Sequence, residues 1–278
     1  MNLNVFRERP YDFGSHIAVI VFRLAACCAL AATACSDSID PAAPGEHTAP
    51  VVVRPGAWAP PTLSEADILA DRLLQRQNDR LRVDAAQRRE LAAEILAVLS
   101  RIRFAYPAVA DITARPTYAI GELMLALGPQ LFENVYSLLE DGGDRIVLRT
   151  GQADFDSLNA RLGLSVVVQI FQFSRTVIFY FNEYLNVSAA ARAYAAIEGV
   201  QYAEPNGYVG DGSDIDAVKS DGRWYVVARR AWGDCPAGCI NEVFDFFIVD
   251  GDSVERVERS QAMVRAEFRD LLRNRGWN

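Results

Sequence analysis

Histidine is almost missing from this 278-residue chain. His16 and His47 are the only two, and both fall in the leader and linker described below. The folding part therefore offers no imidazole for a Ser-His-Asp triad, a His general base or a His-ligated metal. Lysine is scarcer still. Lys219 stands alone among 28 basic residues, and the rest are arginine, a bias typical of GC-rich bacterial coding. Basic runs are also absent, and acid outnumbers base 36 to 28 for a net charge of −8. That excludes the electrostatic footprint of a nucleic-acid partner. No apolar run reaches the roughly 20 residues needed to span a bilayer. No glycine-rich phosphate cradle occurs, and Ser36, Ser157 and Ser188 lack a nucleophile-elbow context. What remains is a folding composition, 51% apolar and 23% charged, long enough for one large domain or two small ones.

Residues 1–35 read as an export signal. Arg7, Arg9 and Arg23 supply positive charge, and Leu24–Ala34 (LAACCALAATA) is apolar and small. That length suits a signal h-region rather than a membrane span. Ala32, Thr33 and Ala34 directly before Cys35 resemble the lipobox of bacterial lipoproteins, with Ala32 where leucine is usual. Leu24-Ala25-Ala26-Cys27 also fits the pattern, but cleavage there leaves an apolar stretch behind and almost no h-region ahead. The resemblance implies cleavage before Cys35, a lipid on that cysteine and attachment to the membrane of a bacterial cell envelope. Ser36 after the cysteine is compatible with the outer membrane.

Residues 36–61 are rich in proline and alanine and read as a disordered tether. Residues 62–116 read as a helical segment and connector. Ser64 with Asp67, and Asp84 with Gln87, are capping signals. Ile68, Leu69, Leu73 and Leu74, then Leu91, Ile95, Val98, Leu99 and Ile102, give two apolar faces at helical spacing. The pair predicts an N-terminal helical hairpin joined near Asn78–Val83. Residues 117–278 read as an α+β domain. Within 145–206 the order is strand (Arg145–Thr150), helix (Asp154–Leu162), strands (Ser165–Phe173 and Thr176–Asn182), helix after Asn186, and strand (Val200–Ala203). This β-α-β-β-α-β order predicts a ferredoxin-like sheet of four strands with two helices on one face. Residues 207–260 are β-rich. Trp224–Arg230 and Val243–Val249 are expected to extend that sheet as C-terminal β-hairpins, and 261–278 form a terminal helix.

The segment Ile197–Asn206, IEGVQYAEPN, resembles the end of the propeptide, or inhibitor-like, domain of subtilisin-type proteases. The resemblance spans 145–206. An alternative registration takes Gly121–Leu127 as the first strand, with Asp141–Leu164 as an insertion. In that family the sheet packs on a protease, and the residues after the last strand enter its cleft. Here those positions are Gly207, Tyr208, Val209 and Gly210. A protease domain follows in the family, whereas only a short histidine-free stretch follows Asn206 here. The resemblance thus implies a stand-alone domain with a protease as partner.

Three further groups carry candidate chemistry. Once the leader and Cys35 are set aside, Cys235 and Cys239 are the remaining thiols, and an oxidising envelope favours a disulfide closing a tight loop. Asp211, Asp214 and Asp216 lie in GDGSDID. Oxygen ligands at short spacing suit calcium, but the EF-hand spacing is not met, and a solvated turn is the favoured reading, with no metal. Glu183, Glu198 and Glu204 show no spacing that selects a catalytic pair. The sequence therefore points to a non-catalytic envelope protein without a cofactor, acting as a binding or structural module. The alternative is an inhibitor or folding helper of a subtilisin-like protease.

Overall fold

Ser64 opens the first helix, α1 (Glu65–Gln77), with a capping box. Its hydroxyl accepts from the Asp67 N–H, and the Asp67 carboxylate accepts from the Ser64 N–H. Asp84 opens α2 (Ala85–Ala105) by accepting from the Ala86 and Gln87 N–H groups. The two helices share a core in which Leu69 and Leu73 meet Ile95, Leu99 and Ile102, the expected hairpin. These details come from a computed structural model that describes residues 51–53, 63–141, 145–181, 184–208, 210–235 and 237–277. The leader, Cys35, the tether apart from Val51–Val53, and also Glu183 and Val209, lie outside the described residues. The fold class is α+β, as the sequence predicts.

The middle of the chain forms a six-stranded sheet. Its strands are β1 (Val51–Val53), β2 (Tyr118–Leu127), β3 (Arg145–Val147), β4 (Leu164–Phe171), β5 (Thr176–Phe181) and β6 (Val200–Gly207), in the order β3-β1-β4-β5-β2-β6. Helices α3 (Pro129–Asp141), α4 (Ala153–Leu162) and α5 (Val187–Ala195) pack on one face. Leu123, Leu125, Val177 and Phe179 meet Val135, Phe155 and Tyr194 there. β5 is antiparallel to both β2 and β4, and β2 is antiparallel to β6. The four strands β4-β5-β2-β6 are therefore two interleaved split β-α-β units, the ferredoxin-like arrangement.

Two expectations are corrected here. The central first strand is β2, not the segment at Arg145, so the alternative registration at Gly121–Leu127 is the one observed. β3 has three residues with an exposed-buried-exposed pattern, which suits an edge. β2 buries Leu123, Leu125 and Leu127 completely, which suits the centre. Gly121 allows a bulge in β2, since its φ is +77° and a Cβ there would lie 3.0 Å from the Phe181 carbonyl oxygen. The second correction concerns the tether. Val51–Val53 forms β1 between β3 and β4, with Val52 wholly buried.

The C-terminal strands do not extend this sheet. β7 (Asp214–Ser220), β8 (Arg223–Trp232), β9 (Asn241–Asp250) and β10 (Ser253–Val257) form a separate antiparallel meander. The reason lies in its two apolar faces. Trp224, Val226, Phe247 and Val249 pack under α1 and α2. Tyr225, Val227, Phe246 and Ile248 pack under α6 (Arg259–Ala262) and α7 (Ala266–Arg275). Strands apolar on both faces need cover on both. The first sheet has helices on one side only, so it would leave one of these faces in water. Residues 63–115 and 210–277 thus make one layered unit, and β2–β6 are inserted into it.

Candidate functional site

Two surfaces of the molecule carry chemistry. The first is the face of the six-stranded sheet turned away from α3–α5. Cross-strand pairing puts Gln169, Ile178, Met124 and Glu204 in one row there, and Phe171, Thr176, Ala126 and Tyr202 in the next. No buried apolar cluster builds on this face among the described residues. Phe171 and Tyr202 are exposed at 40% and 48%. The Tyr202 hydroxyl donates to Glu204, and Asn206 donates to Glu122 at 2.6 Å. Burial raises the Glu122 carboxyl above its ordinary pKa, with the Asn206 bond opposing.

The segment that follows β6 is held at both ends. Gly207 pairs with Tyr118, and the Tyr208 N–H donates to the Thr117 carbonyl at 3.0 Å. The Asp211 N–H then donates to the Cys235 carbonyl at 2.8 Å. Gly207, Tyr208 and Gly210, which the family resemblance would send into a protease cleft, therefore lie in a bridge between two sheets, with Tyr208 exposed.

The second surface lines the joint below that bridge, where arginines meet carboxylates. Arg72 lies 3.2 Å from Asp214, and Arg275 from α7 pairs with the same carboxylate. Arg76 holds Asp216 at 2.7 and 3.1 Å through both guanidinium ends. Arg229 forks onto Asp211 and also reaches Glu242 at 2.7 Å. The Arg229 hydrogen bonds hold the Asp211 carboxyl well below the usual carboxylate range. Burial, then Arg72, pulls the Arg275 guanidinium down. The solvated turn expected at Asp211, Asp214 and Asp216 is corrected, since Asp214 and Asp216 are buried on β7, and the weaker calcium alternative meets oxygens that are already engaged. Each carboxylate already accepts from an arginine, so the protein itself supplies the countercharge. Desolvation offsets much of the attraction in buried pairs of this kind, whereas removing one partner is strongly destabilising.

Cys235 and Cys239 are joined as a disulfide with Cα atoms 4.0 Å apart. Asp211 accepts from the Cys239 N–H at 3.2 Å, so the stapled loop is latched to the bridge. Glu198 is exposed near the α5–β6 turn, while Glu204 is on the open sheet face, and no carboxylate pair converges between them.

Sequence reasoning missed the Arg72, Arg115, Arg229 and Arg275 side of this cluster. It also missed Asp71, which is buried on α1. Asp71 accepts from the Gln75 amide at 2.6 Å, and its Oδ1 meets no partner among the described residues. Burial pushes its carboxyl up to about 6, against the opposing charge of Arg88. The signal was present: Asp71 and Arg72 sit between Leu69-Ala70 and Leu73-Leu74, charges inside an apolar stripe.

Residues 146–206 match the fervidolysin N-terminal prodomain family. The match runs from β3 to β6, less than a quarter of the chain, and ends on the GVQYAEPN segment. The chain thus carries a prodomain-like unit. No curated protein and no solved structure gives a match.

Proposed function

We propose that this is a non-catalytic, lipid-anchored envelope protein whose prodomain-like sheet docks on a subtilisin-type protease. The observation that carries the reading is the open sheet face. Its β4, β5 and β6 strands, the last as far as Asn206, lie within the residues that match the prodomain family, and it exposes Phe171 and Tyr202 in a row across the strands. Exposed aromatics on a rigid sheet suit an interface core.

The pinned bridge decides the mode of binding. A free tail enters a cleft, whereas a segment bonded at Tyr208 and Asp211 keeps the shape it has. Docking therefore occurs beside the cleft, which favours a folding helper or retention partner over a cleft inhibitor. The anchor is Cys35. Val51 lies about 16 residues beyond it, a reach of at most about 55 Å when extended. No helix among the described residues is long and apolar enough to cross a membrane.

Titrating the chain against a panel of subtilisin-type proteases, with binding and peptide hydrolysis read in parallel, tests the docking. Binding at tens of micromolar or tighter, roughly −6 kcal/mol, supports it, and no binding removes it. A Cys35→Ser variant should lose labelling by a palmitate analogue and leave the membrane fraction. Unchanged labelling would move the anchor to Cys27.

A further inference from the structure

The joint between the bridge and α7 encloses a cavity of about 470 Å³, a volume that suits a small molecule. Its acidic groups are already committed. Asp214 accepts from Arg72, Arg275 and the Arg115 N–H, and Asp211 accepts from Arg229 and the Cys239 N–H. Its donors are not all committed. The half-buried Arg115 guanidinium finds no acceptor among the described residues. The Arg275 Nε makes no hydrogen bond, but it is held 3.9 Å from Asp216 in an ion pair, which leaves Arg115 as the uncommitted donor. Thr117, Tyr208 and Asn274 line the same space with hydroxyl and amide groups.

The Arg115 guanidinium lies against the Gly212 backbone. A Cβ at position 212 would displace the Arg115 guanidinium from this place. The structural work at Arg115 is done by its main chain. Its N–H donates to Asp214 at 2.8 Å, and its carbonyl accepts from Arg72. The side chain is thus a partly desolvated cation without a countercharge, which is unfavourable unless an anion joins it.

We infer that this cavity binds a small oxyanion, a carboxylate or a phosphate, with the Arg115 guanidinium as its principal partner. Guanidinium offers a planar fork that matches both groups. Arg275, held down by burial and by Arg72, gains from the same negative charge. The site is separate from the open sheet face, so it stands whether or not a protease docks there.

Calorimetric titration of the full chain in non-ionic detergent tests this, with succinate and inorganic phosphate as probes and chloride as the ionic-strength control. Saturable binding of either probe is expected, and whichever binds tighter identifies the class. Arg115→Met should weaken it at least about tenfold without lowering the ligand-free melting temperature, because the side chain makes no bond to the fold and its unpaired charge is removed. Arg115→Lys, which keeps the charge but loses the fork, should fall between the two. No saturable heat up to about 10 mM, or undiminished binding by Arg115→Met, would overturn the site.

Discussion

Arg72 on α1 and Asp214 on β7 are 142 residues apart in sequence and 3.2 Å apart in space, and both side chains are buried. The pair clasps the start of the layered unit to the strand that follows the inserted prodomain-like unit. Asp214→Asn would leave Arg72 and Arg275 buried without their carboxylate. The expected loss is about 3–5 kcal/mol, read by urea denaturation. A loss under about 1 kcal/mol, the level of a surface pair, would show that the clasp is dispensable.

Asp71 gives the fold a pH dependence of unusual sign. Its folded pKa is raised to about 6, against about 3.9 when unfolded. Its contribution is therefore fully present below about pH 4 and is lost as pH rises through 6, about 2–3 kcal/mol at 1.36 per unit. Asp111, held down to about 2 by Arg230, acts in the opposite sense, but at lower pH. Asp71→Asn should flatten the stability profile between pH 4 and 7 and stabilise the protein at pH 7. An unchanged slope would remove Asp71 as its source.

β1 makes the segment after the leader part of the fold. Val52 is wholly buried between β3 and β4. Val52→Asp forfeits about 1.5–3 kcal/mol of apolar burial and places a carboxylate in the core. A clear drop in melting temperature is expected, with a chain beginning at Arg54 behaving alike. Unaltered melting of both variants would show that β1 is not part of the stable sheet.

The Cys235–Cys239 bond closes a very small ring, so its removal should cost on the order of 2 kcal/mol or less. Mass spectrometry of non-reduced peptides should find the loop two hydrogens lighter than the dithiol. Two alkylatable thiols in freshly exported protein would contradict the bond.

Local signals in the sequence translated well. Ser64, Asp84 and Asn186 cap the helices they were expected to cap. The β4–β5 hairpin and the disulfide loop fall where alternation and spacing put them. Long-range pairing did not translate. Whether RIV or GELMLAL occupies the sheet centre depends on partners far along the chain, and strand chemistry alone leaves both open. The separate C-terminal sheet was legible only through its two-sided apolarity in WYVV and FDFFIV, which asks for cover on both faces. The arginine cluster was hidden for a related reason. Arg72, Arg115, Arg229 and Arg275 come from four distant segments, and only folding brings them to Asp211 and Asp214.

The most direct test of the protease-docking reading uses a subtilisin-type protease whose active site is covalently blocked. Docking through the open sheet face, with the bridge pinned at Tyr208 and Asp211, predicts equal affinity for blocked and free enzyme. It also predicts at least about tenfold weaker binding for Phe171→Ser and Tyr202→Ser, whose side chains are exposed, with the melting temperature read in parallel to show that both variants fold. Binding that disappears when the active site is blocked, or that is indifferent to both substitutions, would contradict the account.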